Sequence, residues 1–144
     1  YKRKSGQFIY SKLDFLNQAF GIIPEDLDGY ESTADLPSFD IGAGLDGGFF
    51  LEYVKRDAFY KKNGEMADGG RKAKRIQVDD FLSFSIVTPR EEGEQQSISA
   101  CLSSIDDLIV EGAREIEAIR DHKLALVEKL FPMPNGCFLK GASG

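Results

Sequence analysis

One pattern constrains this chain more than any other: seam positions recur at alternating intervals of four and three residues along its second half. They are Ile98, Leu102, Ile105, Ile109, Gly112, Ile116, Ile119, Lys123, Leu126 and Leu130. This is a heptad repeat, set in a helical pattern that runs from about Glu94 to Leu130. At 1.5 Å per residue such a helix is about 55 Å long. Pro132 and Pro134 end it, since proline supplies no N–H to the helix ladder. A bundle helix packed along its own domain is one reading. But the roughly 90 residues upstream make too small a domain to cover so long a seam, so the repeat calls for a partner helix.

The seam also states how two identical helices would pair. With Ile98 set against Leu130 in an antiparallel arrangement, Leu102 meets Leu126, Ile105 meets Lys123, Ile109 meets Ile119 and Gly112 meets Ile116. Every layer closes in one register, and Asp106 comes near Arg120 of the partner on the flank. A parallel pair would stack Lys123 on Lys123 and Gly112 on Gly112, repulsion in one layer and a void in the other. Antiparallel homodimerisation is therefore expected.

The first half reads as α+β. Phe8-Ile9-Tyr10 and Phe20-Gly21-Ile22-Ile23 have the composition of short strands, the second closed by Pro24. Leu27-Asp28-Gly29-Tyr30 is turn chemistry. Leu36 to Ile41 suits an edge strand because of Pro37. Gly48 to Lys62 predicts one helix with an apolar stripe, and Asn63 to Lys74 a loop rich in glycine and basic residues. Asp79-Asp80-Phe81-Leu82 predicts a single helical turn, and Phe84 to Val87 a strand ending at Pro89. The expected organisation is an α+β domain at 1–90, the long helix at 91–132 and a tail at 133–144.

The net charge of −6 argues at first against nucleic acid. Its distribution argues otherwise. Residues 1–75 hold 12 Lys/Arg and 12 Asp/Glu, whereas 76–96 hold one Arg and five acids, and 97–144 hold five bases and seven acids. The first half can therefore present a basic face. Two cysteines far apart, Cys101 and Cys137, make no disulfide framework and suit a reducing cytoplasm. With one histidine they also fall short of a zinc ligand set. Tyr1-Lys2-Arg3-Lys4 leads into mixed sequence, not the apolar core of a secretion signal, and no apolar run reaches membrane-spanning length. The first residue is not Met, which leads to the expectation of a trimmed fragment.

Sharper chemistry finds little support. Gly42-Ala43-Gly44-Leu45-Asp46-Gly47 matches a dinucleotide fingerprint literally, but the buried strand with a terminal acid that should follow about 20 residues on is missing. That region is the polar stretch Asn63 to Asp68, so a flexible loop leading into a helix is the better reading. His122 falls on the flank of the long helix, and Cys101 falls beside its seam. Asp79-Asp80 suits the start of a helical turn. No cofactor or metal is called for, and no catalytic set can be assembled. The Asn-Pro-Pro-Tyr or Asp-Pro-Pro-Tyr signature of adenine methyltransferases is absent.

Several stretches form a distinctive collinear series. Thr88-Pro89 is followed by Glu94-Gln95-Gln96, Ile98 and Cys101-Leu102-Ser103-Ser104-Ile105-Asp106-Asp107-Leu108-Ile109, then by Ile119-Arg120-Asp121-His122-Lys123 and Leu130-Phe131-Pro132. Together these resemble the conserved helical spacer of type I restriction–modification specificity subunits. Upstream, Gly6 to Leu13, Ala19 to Pro24, Leu27 to Tyr30, Arg71 to Arg75 and Asp79 to Leu82 resemble the latter part of such a subunit's target-recognition domain. The resemblance spans roughly residues 6–132. It implies one partial recognition domain and one spacer helix, where the full subunit has two of each.

The resemblance implies a non-catalytic role: reading double-stranded DNA and holding two recognition domains apart through antiparallel spacer helices. Modification (methyltransferase) subunits and a restriction subunit would do the chemistry. The expected DNA contacts are, first, Arg71, Lys72, Lys74 and Arg75, carried on a loop that Gly69-Gly70 lets approach the duplex. Lys2, Arg3, Lys4 and Lys12 follow, then Lys55, Lys61 and Lys62. The competing reading is a truncated subunit that still pairs through its helix but no longer binds DNA.

Overall fold

The strand Phe8–Tyr10 (β1) sits between Phe20–Ile22 (β2) and Ser38–Phe39 (β3) in a three-stranded antiparallel sheet ordered β2-β1-β3. The computed structural model describes residues 1–65 and 75–131. Tyr10 lies opposite Phe20, Phe8 opposite both Ile22 and Phe39, and Ile9 opposite Gly21 and Ser38. Because side chains alternate along a strand, Phe8 and Tyr10 face inward together and both are buried. The strands expected around β1 and β2 are thus present. The third is shorter than the stretch Leu36 to Ile41 suggested, and it does lie at an edge.

Three short helices close over the sheet: Gly47–Val54 (α1), Asp57–Gly64 (α2) and Val78–Ser83 (α3). Phe81 of α3 is the centre of the core. Its ring stacks on Tyr10 at 4.6 Å, Phe8 at 5.6 Å and Phe39 at 5.7 Å between centroids, and meets Phe15 and Phe84 edge-on. Phe15, Val54, Phe59, Tyr60 and Ile76 complete the buried cluster. A core built of rings in these offset and edge-on contacts gains attraction beyond simple burial, about 0.5–1.5 kcal/mol per pair.

Two expectations are corrected here. The single helix over Gly48 to Lys62 is two helices, broken at Arg56, whose backbone is extended (φ −65°, ψ 135°). The reason is burial. On one continuous helix Phe59 would lie about 140° around from Val54, five residues at 100° each. The break re-aims Phe59 and Tyr60 into the same core as Val54. Arg56 caps the corner by laying its guanidinium 3.8 Å over the Tyr53 ring. The second correction concerns Phe84 to Val87, which run extended but unpaired. The alternation is real, with Phe84 and Ile86 packed against the core and Ser85 and Val87 exposed, but among the described residues no neighbouring strand takes the backbone bonds. Instead the Val87 N–H donates to the Tyr53 hydroxyl at 3.1 Å.

α3 opens with the charge its sequence suggested. Asp79 and Asp80 occupy its first turn, and Gln77 with Asp80 forms a capping box. The fourth helix, Glu92–Leu130 (α4), is 39 residues long and begins two residues earlier than its periodicity indicated. Residues Tyr1–Ser103, which include its first turns, form one compact unit, and those from Ser104 form a second. In the second, every described residue from Ser104 to Leu130 is exposed except Gly112, which is half-buried. No helix among the described residues is long and apolar enough to cross a membrane.

Tyr10 yields a pH prediction. Its hydroxyl donates to the Ile76 carbonyl at 3.1 Å in a buried setting. Burial, and secondarily the Asp80 charge, raise its pKa well above the ordinary tyrosine value. A raised pKa means the folded state holds its proton while the unfolded chain loses it. The associated stability is complete below about pH 10 and falls as pH rises past that point. Tyr10→Phe should cost about 1–2 kcal/mol at pH 7, by leaving a buried carbonyl unpaired, and should flatten the alkaline limb of a thermal-melt pH series.

Candidate nucleic-acid interface

The basic residues proposed from sequence separate into distinct groups once folded. Residues 1–4 are tied down. The Tyr1 ammonium donates to the Ser32 carbonyl at 2.9 Å, the Lys2 backbone forms an isolated antiparallel β-bridge with Glu31, and the Arg3 N–H donates to the Tyr30 carbonyl at 2.9 Å. The Arg3 guanidinium is occupied inside the domain. It donates from Nε to Ser32 Oγ (2.6 Å), from Nη1 to Ser38 Oγ (3.2 Å), and from Nη2 to the carbonyls of Thr33 (3.1 Å) and Leu36 (2.5 Å). It holds the 32–38 loop against the sheet. Lys2 and Lys4 on either side of it are exposed.

Lys12 and Arg75 come together although 63 residues separate them. The Lys12 N–H donates to the Asp35 carbonyl at 2.9 Å, and the Lys12 carbonyl accepts from the Ile76 N–H at 3.2 Å. The Arg75 guanidinium then lies 3.7 Å from the Asp35 carboxylate, both about half exposed. So loose and solvated a pair is worth at most about 1 kcal/mol. Its guanidinium can exchange that carboxylate for a phosphate at little cost. Lys12 also lines a 300 Å³ cleft with Tyr1, Arg3, Pro37, Ser38, Phe39 and Val78. Arg71, Lys72 and Lys74 lie outside the described residues, as does the tail beyond Phe131.

The third group sits on α1 and α2 and is locally paired. Lys55 bonds Glu52 at 2.8 Å and Lys61 bonds Asp57 at 2.5 Å. The Lys61 bond, with one from the Tyr60 hydroxyl, lowers the Asp57 pKa, and the same Asp57 contact raises that of Lys61. Lys62 is exposed and lines a different cleft with Tyr53, Arg56 and Phe59.

The structural role of one residue was not read from the sequence. Gln95, in the first turn of α4, is fully buried. Its Nε2 donates to the carbonyls of Gly44 (2.9 Å) and Pro89 (3.0 Å), and its Oε1 accepts from the Asp46 N–H at 2.9 Å. The glycine-rich loop is therefore the socket for this amide. Gly44 takes a positive φ of +83°, and Asp46 caps α1 by accepting from the Phe49 N–H at 2.8 Å. Gly48 keeps α1 close to α4, since an added Cβ there would collide with the Ser99 hydroxyl. The signal was available: Gln95 lies three residues before Ile98 and so continues the heptad seam as a polar residue.

The class this defines is an α+β domain moored through one buried amide to the start of a long helix that bears an apolar seam. No protein-family model and no curated protein matches the chain. Among solved structures, the crystal structure of an HsdS subunit from Thermoanaerobacter tengcongensis shares the fold. The match has a TM-score of 0.67 at 20% sequence identity, covering 97% of this chain and 37% of that one. HsdS is a type I restriction specificity subunit. The fold expected from the sequence is thus the fold observed, and the chain spans a little over a third of the HsdS subunit's length.

Proposed function

We propose that the chain is a DNA-recognition piece of a type I restriction–modification specificity subunit, itself non-catalytic. The observation that carries this is the shared HsdS fold across both the α+β domain and α4. On this reading the face bearing Lys12 and Arg75, extended by Arg71, Lys72 and Lys74, meets the phosphate backbone of duplex DNA. The seam of α4 pairs antiparallel with that of a second copy, which sets two recognition domains at a fixed separation on a split target. Methyltransferase and restriction subunits assemble on this frame in the cytoplasm and supply the chemistry.

Salt-dependent DNA binding tests the reading. Fluorescence anisotropy with mixed-sequence duplexes should show affinity falling steeply between 50 and 200 mM salt, because each neutralised phosphate releases a counterion. Replacing Lys12 and Arg75 together by alanine should lower affinity for every duplex alike. It should also flatten the log–log salt slope by about two, close to 0.9 per lost contact. Arg3→Ala should act differently, lowering the melting temperature by releasing the 32–38 loop. Absence of binding at 50 mM salt would favour the module that only pairs through its helix.

A further inference from the structure

We propose that an apolar groove beside the start of α4 receives the last helical turn of the second copy's α4, so that each domain is clamped by the other chain. This rests on the antiparallel pairing proposed above. The groove has a volume of about 490 Å³ and is floored by Phe49 and Tyr53 of α1, Val87 of the extended segment, and Ile98 and Leu102 of α4. Val87 is 79% exposed and Leu102 39%, so apolar surface faces solvent.

The occupant follows from the register. In the antiparallel pair, numbers in each layer sum to 228, so the Ile98 layer takes the partner's Leu130 and the Leu102 layer takes its Leu126. Those two layers are the ones that lie in the groove. Leu130 and Phe131 are 70% and 75% exposed in the single chain. The Phe131 N–H still donates to the Val127 carbonyl at 2.9 Å, so the turn continues through it. The heptad layers end at Leu130, and Phe131 has no seam partner of its own. On this proposal the Phe131 ring enters the groove beside Ile98, against the exposed Val87. Its rim carries Glu52, Lys55 and Arg56, and the arriving turn carries Glu128 and Lys129, so neither sign meets a uniform like charge.

Two-fold symmetry fills the groove twice. Each domain would then be held at its own end of the paired helices by two contacts, Gln95 of its own chain and the closing turn of the other. The distance between recognition domains becomes a property of the register, not of a free hinge.

Cysteine pairs test this in the full chain with Cys101→Ser and Cys137→Ser. Val87→Cys with Phe131→Cys reports the groove, and Ile109→Cys with Ile119→Cys reports the seam. Under mild oxidation both should give covalent dimers on a non-reducing gel. Seam dimers without groove dimers would overturn the clamp and leave the pairing intact, whereas neither would overturn the pairing itself. A Val87–Phe131 bond within a single chain would also overturn the clamp. Because Val87 is exposed, Val87→Glu should leave the melting temperature of the dilute monomer unchanged while weakening dimerisation at least tenfold. An unchanged dimer constant would reject the groove.

Discussion

Replacing Ile109 and Ile116 by aspartate should halve the solution mass, from about twice the chain mass to 16.0 kDa by light scattering. In the antiparallel register Ile109 meets the partner's Ile119, and Ile116 meets Gly112. Both isoleucines are more than half exposed in the single chain, 63% and 54%, so pairing has apolar surface to bury. A fully buried isoleucine contributes about 1.5–3 kcal/mol, and two-fold symmetry counts each substitution twice. The loss is on the order of 6 kcal/mol before the cost of dehydrating four carboxylates, or at least about four orders of magnitude in the dimer constant. Ile105 is the weaker choice, since an aspartate there would face the partner's Lys123. A double variant that keeps the parent mass would show that pairing does not run through this seam. Far-ultraviolet circular dichroism, read alongside, separates loss of pairing from loss of the helix.

The second large effect is expected at Gln95. Gln95→Leu keeps the volume but leaves the Asp46 N–H and the Gly44 and Pro89 carbonyls without their partner. At about 1–3 kcal/mol for a buried group left unpaired, and less for one that water can reach, the cost should be about 2–3 kcal/mol, or on the order of 10 °C in melting temperature. Gln95→Glu should also be poor, because a carboxylate presents acceptors to two carbonyl acceptors. Gln96→Ala, at the exposed neighbouring position, should leave the melt unchanged and serves as the control. If Gln95→Leu melts like the parent, the amide is not what moors α4 to the domain. Its DNA affinity is a separate readout, since the Lys12–Arg75 face lies on other elements.

What was legible from sequence was whatever repeats locally. The four-three spacing from Ile98 to Leu130 marked α4, the strand-like run Phe8-Ile9-Tyr10 marked β1, and Asp79-Asp80 marked the start of α3. Each pattern is a periodicity or cap read within one element, and the backbone obeys it wherever the element lies. The collinear series carrying the family resemblance was legible for a similar reason, because it follows the order of those elements.

The tertiary structure decided the rest, and in each case the deciding partner is remote in sequence. Arg56 breaks a plausible helix because Phe59 and Tyr60 must share a core with Val54, Tyr10 and Phe81. Phe84 to Val87 alternate like a strand but find no strand beside them among the described residues. Arg3 is one basic residue among several in sequence, yet its guanidinium is used up by Ser32, Thr33, Leu36 and Ser38, whereas Arg75 keeps only a loose contact with Asp35. Gln95 reaches back 51 residues to Gly44, and the glycine motif that suggested a phosphate loop is the socket that receives it. Sequence periodicity determines which face of an element is apolar. Which polar group must be satisfied, and by whom, depends on distances that exist only after the chain has folded.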